Sequence, residues 1–184
     1  RDQIAGIENI FGHRSFLTPS RGQVATHAMA WERIEKNLRV LLKTRRRVSR
    51  VEGYDISNIA GREATGSMVV FIEGVAAKSE YRKFKIKTVP GPSDVDMLKE
   101  ILRRRIIHQE WSLPDLVLID GGKGQLNAAI RITAKFKSSR FKVLVAALAK
   151  REEELYLPNR SKPLRLAKLP PDTAHFLQRV RDEA

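Results

Sequence analysis

The chain has 184 residues, with 35 Lys and Arg against 21 Asp and Glu, a formal net charge of +14, and no cysteine. An excess of this size points to a polyanionic partner, nucleic acid first, and the lack of cysteine excludes a disulfide framework, a thiolate nucleophile and a Cys-ligated metal within these residues. At 42% apolar content the chain can bury a core of domain size. No apolar run approaches the ~20 residues that cross a bilayer, and the opening RDQIAGIENIF lacks the continuous apolar core of a secretion signal; a soluble, cytoplasmic protein without membrane contact is expected.

In chain order, Ile4, Ile7, Ile10 and Phe11 recur at helical spacing. After TPSRG a second helix carries Trp31, Ile34, Leu38 and Leu41 on one face and ends in the basic run KTRRRVSR, residues 43–50. Residues 1–47 read as a helical lead-in and residues 48–184 as the main domain. Three extended segments follow, VSRVEGYDIS, ATGSMVVFIEG and VAAKSEYRKFKIKT, the last two joined at Glu73 and Gly74 closely enough to form a hairpin. GPSDVDMLKEILRRR then opens a helix with Ser93 as N-cap, Asp96 at the capping-box position, and Val95, Leu98 and Leu102 as the buried stripe. Next come the strand LVLID, a helix from Lys123 with Leu126, Ile130 and Thr133 inward, and the apolar strand VLVAAL. ELYLP and LRLAK lead to a final helix around AHFLQRVRDEA. Three antiparallel strands followed by alternating strands and helices predict an α/β fold with a mixed sheet and right-handed crossovers.

Two acids stand out against this pattern. Asp55 interrupts the first strand, sharing a face with Val51, Gly53 and Ser57, and Asp120 ends the apolar strand LVLID before three glycines and a lysine. Carboxylates on neighbouring central strands repel, and each is held protonated to higher pH unless a cation sits between them. Mg²⁺ and Mn²⁺ are hard ions that take such oxygen ligands. A third acid, Asp94, lies in the first turn of the following helix. Taken singly, each has a plain structural reading: Asp120 as a turn former, Asp94 as a partner of the helix dipole, Asp55 as a salt-bridge partner for one of many arginines.

The segment GGKGQ is not a phosphate cradle of known spacing. A P-loop needs GxxxxGK followed by Ser or Thr, and Asn127 stands where the third glycine of a dinucleotide fingerprint would fall. Those glycines are read as clearing the approach to Asp120, with Lys123 left as a cation near a phosphate. Lys83, Lys85 and Lys87 alternate onto one face of the third segment while Phe84 and Ile86 take the other, which suits a nucleic-acid backbone or a solvated edge strand. Arg103, Arg104 and Arg105 offer a further phosphate-contacting cluster or a solvated helix end. His13, His27, His108 and His175 have no metal-ligand spacing.

VEGYDIS, GSMVVFIEG, YRKFKIKT, LVLIDGGKGQL and LQRVRDEA, in that order, resemble the C-terminal endonuclease domain of the UvrC family over roughly residues 48–184. The resemblance implies an RNase H-like fold, a bound Mg²⁺ or Mn²⁺, and incision of damaged double-stranded DNA on the 5′ side of the lesion during nucleotide excision repair, with UvrB as partner and UvrA acting upstream. It carries the catalytic and metal-binding aspartates onto Asp55, Asp94 and Asp120. The family continues RDEA with a His that completes the site, whereas this chain stops at Ala184, so a C-terminally truncated fragment that binds DNA and nicks it weakly or not at all is expected. Two other readings stay open: an endonuclease V-like repair enzyme, and a non-catalytic nucleic-acid-binding module of the same fold.

Overall fold

Alternation of apolar and polar residues puts the first two extended segments into a long antiparallel pair, β1 (Arg50–Ser57) and β2 (Thr65–Ile72), in register from Arg50 opposite Ile72 to Ser57 opposite Thr65. The computed structural model describes residues 21–57, 64–89, 91, 93–135 and 142–184; the helix expected over Ile4 to Phe11 lies outside them. The chain turns at Glu73 and Gly74, whose φ values of 48° and 80° are the paired positive angles of a tight hairpin. It re-enters the sheet as β3 (Val75–Ala76).

The third extended segment is not one strand, as its sequence suggested. After β3 it leaves the ladder in a 3₁₀ turn at Lys78–Glu80, then returns as β4 (Arg82–Lys85), which pairs with β2 from Met68 to Thr65. Glu80 reaches the guanidinium of Arg50 from this detour, a long-range ion pair that local alternation does not reveal.

α2 (Asp94–Ile107) starts where expected, with the Ser93 hydroxyl accepting from the Asp96 amide. Strand β5 (Leu116–Asp120) runs parallel to β1, followed by α3 (Lys123–Thr133) and β6 (Leu144–Ala149), which is parallel to β5. β7 (Glu154–Tyr156), β8 (Leu164–Arg165) and α4 (Pro171–Glu183) complete the described chain, preceded at the other end by α1 (Arg21–Leu42). The strand order is β3-β2-β1-β5-β6-β7-β8, with β4 also on β2.

Helices cover both faces, which is why the central strands are apolar throughout. On one face Val51, Val69, Phe71, Leu118 and Leu148 pack against Phe176, Leu177 and Val180 of α4 and against Trp31 and Leu38 of α1. On the other, Tyr54, Met68, Val70 and Ile119 meet Leu98, Ile101 and Leu102 of α2 and Leu126 of α3. Gly53 marks the closest approach, since a Cβ there would lie 2.7 Å from Val180 and 2.8 Å from Val69. No described helix is long and apolar enough to cross a membrane.

Candidate functional site

Parallel pairing of Tyr54 with Ile119 leaves Asp55 and Asp120 as the next residues on adjacent strands. Both belong to the α4 side of the sheet, because their strand-mates Val51, Leu116 and Leu118 do. Each carboxylate is half-buried. Burial, and then the charge of Asp55, push the Asp120 carboxyl above the usual carboxylate range, while Arg181 and Lys150 pull it back. The register continues sideways: Asp55 lies opposite Ser67 on β2, and Ser67 opposite Lys83 on β4. One transverse row therefore holds a lysine, a hydroxyl and two carboxylates on a single face.

α4 closes this row from above. The Ser67 hydroxyl donates to the carbonyl of Ala184, and Tyr81 donates to Glu183 at 3.1 Å. Arg181, buried, donates to Asp182 at 3.0 Å and to Glu153 at 2.8 Å, and Gln178 holds the other Glu153 oxygen at 2.9 Å. Asp182 adds a second negative charge, after that of Asp55, felt by Asp120. Arg181 and Asp182 are not among the candidate residues that the sequence alone marks out. The available signal was the stripe Thr173, Phe176, Leu177 and Val180, which turns the adjoining Arg181 toward the sheet.

Asp94 is placed differently. It is exposed at the start of α2, on the opposite side of the sheet from α4, where its neighbour Val95 stands 3.8 Å from where a Cβ on Gly124 would be. The two helix starts therefore adjoin, with the loop after Asp120 between strand and α3. Among the described residues no three carboxylate or imidazole groups lie close enough together to hold one ion. Asp55 and Asp120 are neighbours, whereas Asp94 stays at the start of α2 and is not part of a cluster with them.

The basic residues also separate. Lys83 and Lys85 are exposed on β4, with Phe84 buried between them. Lys87 lies beyond the strand, where its amide and the Thr88 amide and hydroxyl all donate to Glu100. These bonds from the loop hold the Glu100 carboxyl below its usual range despite burial. Arg104 donates to the Lys85 carbonyl at 2.7 Å, so α2 grips both the basic strand and the loop that follows it. Arg103 and Lys123 are exposed. The arginine run is not one surface cluster: Arg105 is fully buried and holds Glu52 of β1 at 2.9 Å.

The UvrC RNAse H endonuclease domain profile matches residues 39–184. UvrABC system protein C of Dehalococcoides mccartyi is 50% identical over 143 residues, covering 73% of this chain and 23% of that protein. Its counterpart from Dictyoglomus thermophilum is 49% identical over 136 residues, covering 73% and 22%, and that from Prosthecochloris aestuarii 38% over 167 residues, covering 89% and 26%. The chain thus spans about a quarter of the length of these relatives. Among solved structures, Ciona intestinalis endonuclease V in complex with inosine-containing DNA aligns at a TM-score of 0.40 and 17% identity, over 72% of this chain and 59% of that one. With a profile match over most of its length and relatives at half identity, the chain belongs to the UvrC RNase H endonuclease domain family.

Proposed function

We propose that this domain hydrolyses a phosphodiester bond on the 5′ side of a lesion in damaged double-stranded DNA during nucleotide excision repair, with Mg²⁺ or Mn²⁺ and in concert with UvrB after UvrA has acted. The observation that carries the reading is the Asp55 and Asp120 pair, two oxygen donors crowded on adjacent strands so that one raises the proton affinity of the other. Those two donors fit a hard divalent cation, and Asp94, which does not stand with them in one ion-sized cluster among the described residues, is the third group proposed to join them when the ion binds. When bound, such an ion supplies positive charge against the negative charge that develops on a phosphoryl group in transfer.

The chain's own residues bind and orient. Lys83 and Lys85 line the approach along β4, Lys87 and Arg103 flank it from the α2 side, and Lys123 stands at the first turn of α3. A phosphate strand laid over the transverse row meets the Lys83 ammonium before it reaches the carboxylates. Arg181, braced by Glu153, keeps a fixed cation beside Asp120 and orients Asp182. On this reading residues 48–184 are the nuclease domain and residues 1–47 its lead-in, with α1 docked through Trp31 and Leu38.

The decisive test uses the full-length protein, UvrB loaded by UvrA, and a duplex with one site-specific lesion. Nicks should map 5′ of the lesion and vanish in Asp55→Asn, Asp94→Asn and Asp120→Asn. Partner-free cutting next to a deaminated base would instead favour the endonuclease V-like reading, and binding without any nick the non-catalytic one.

A separate expectation concerns the lysines. Lys83→Ala/Lys85→Ala should weaken duplex binding uniformly across sequences and reduce the slope of log K against log salt by about 1 to 2. Fluorescence anisotropy from 50 to 200 mM salt reads this directly, and an unchanged slope would remove β4 from the DNA path.

A further inference from the structure

At the end of the sheet away from Asp55 and Asp120, the connection from β7 to β8 folds back against the C-terminal end of α1. Leu157 is buried and the Arg160 amide donates to its carbonyl, which fixes the turn. The Asn159 side chain donates to the Leu41 carbonyl at 3.3 Å, tying the turn to α1. α1 itself ends at Leu42, and the φ of 50° at the next residue, Lys43, swings the chain out of the helix. Between these walls lies an open groove of about 530 Å³ lined by Val40, Lys43, Arg160 and Lys162 among others, with no acid in its lining.

Three cations thus face one concavity, and none of them forms an ion pair among the described residues. Elsewhere on this surface exposed arginines do find carboxylates: Arg33 meets Asp172 and Arg47 meets Glu73. Exposed Arg45 lies just beyond the Lys43 wall, and Lys142 beside Asn159 on the other, so the positive field runs past the groove's own lining. At about 530 Å³ the furrow is larger than one small anion needs and is open at the surface. Its exposed Val40 offers an apolar contact that a deoxyribose face can take.

We infer that this groove is a second DNA-backbone site, engaging phosphates of the same duplex that the carboxylates act on, at a distance. It rests on the proposed nuclease reading but uses none of its residues. β5 alone, five residues long, spans about 17 Å at roughly 3.3 Å per residue. A duplex reaching from the carboxylates to the groove must therefore extend at least about 5 base pairs past the cut, at about 3.4 Å per pair.

The test compares wild type, Lys43→Ala/Arg160→Ala/Lys162→Ala and Lys83→Ala/Lys85→Ala, each as the 184-residue chain, binding a 30-base-pair duplex over a salt series. All three residues of the groove variant are exposed, and an unchanged melting temperature verifies its fold. The groove variant should lose about 3- to 10-fold in affinity at 100 mM salt and about 2 to 3 units of salt slope, additively with the β4 variant. Wild-type affinity and slope in the groove variant overturn the inference, and if the β4 variant is still impaired the nuclease reading stands without it. If no variant changes binding, the inference fails and β4 leaves the DNA path, while the nuclease reading is decided separately by the nicking of the aspartate variants. If the groove variant keeps its DNA affinity but loses binding to a poly-glutamate peptide, the groove serves an acidic protein segment and the inference is likewise overturned.

Discussion

Asp120→Asn is expected to reduce nicking by the full-length protein more than 100-fold while leaving the domain as stable as before, or more so. The sign follows from the charge environment. Burial and the nearby Asp55 raise the Asp120 carboxyl above its unfolded value, so the folded state prefers it protonated. This penalty is absent below about pH 4, near the ordinary aspartate value, grows as pH rises through the raised folded value, and persists at neutral pH. The asparagine variant should therefore gain stability at pH 7 and show no gain at pH 3.5. Solvent screening at a half-buried group keeps the gain on the order of 1 kcal/mol or less, a rise of roughly 2 to 4 °C for a domain this size. Added Mn²⁺ should raise the melting temperature of wild type and not of the variant. A variant that melts well below wild type at pH 7 would make Asp120 a structural residue instead.

The largest loss of stability is expected at Arg105. Its guanidinium lies fully buried between α2 and β1, donating to Glu52 through Nε and Nη2, to the Ser112 carbonyl at 2.6 Å and to the His108 carbonyl at 3.3 Å. Glu52, equally buried, also accepts from Arg50 and from the Tyr54 hydroxyl at 2.7 Å. Burial, with Glu52 beside it, pushes that hydroxyl well above the usual tyrosine range, so it remains a donor at any working pH. Arg105→Met leaves an under-compensated carboxylate in the core and should cost about 3 to 5 kcal/mol, some 6 to 20 °C in melting temperature. Glu52→Leu/Arg105→Met, which removes both charges, should recover much of that loss in urea denaturation. A single variant costing under about 1 kcal/mol would mean that water reaches Glu52.

The contrast between these two sites explains what the sequence could disclose. Asp55 and Asp120 were legible because each breaks an apolar strand, and strand alternation alone predicts the face it takes. The Ser93 cap, the turn at Glu73 and Gly74, and the adjacency of β1 and β5 were likewise local or topological. Arg105 was not legible: its partner lies 53 positions away, and within a run of three arginines nothing local distinguishes the buried one from Arg103, which faces solvent. The break in the third strand was hidden for the same reason, since Glu80 answers to Arg50 across the sheet. Asp182 was missed because a charged helix end reads as solvated until α4 is known to lie over the carboxylates.

Gly53 gives the site a mechanical link to the core. Because it carries no side chain, α4 seats its Val180 almost on the backbone of β1, and Arg181 and Asp182 are the next two residues of that helix. A single methyl at Gly53 would act as a shim, tilting the helix and carrying that cation and carboxylate away from Asp120 without touching any of the three. The spacing of charges around Asp120 is thus calibrated by a contact made two residues before Asp55, at a position with no chemistry of its own.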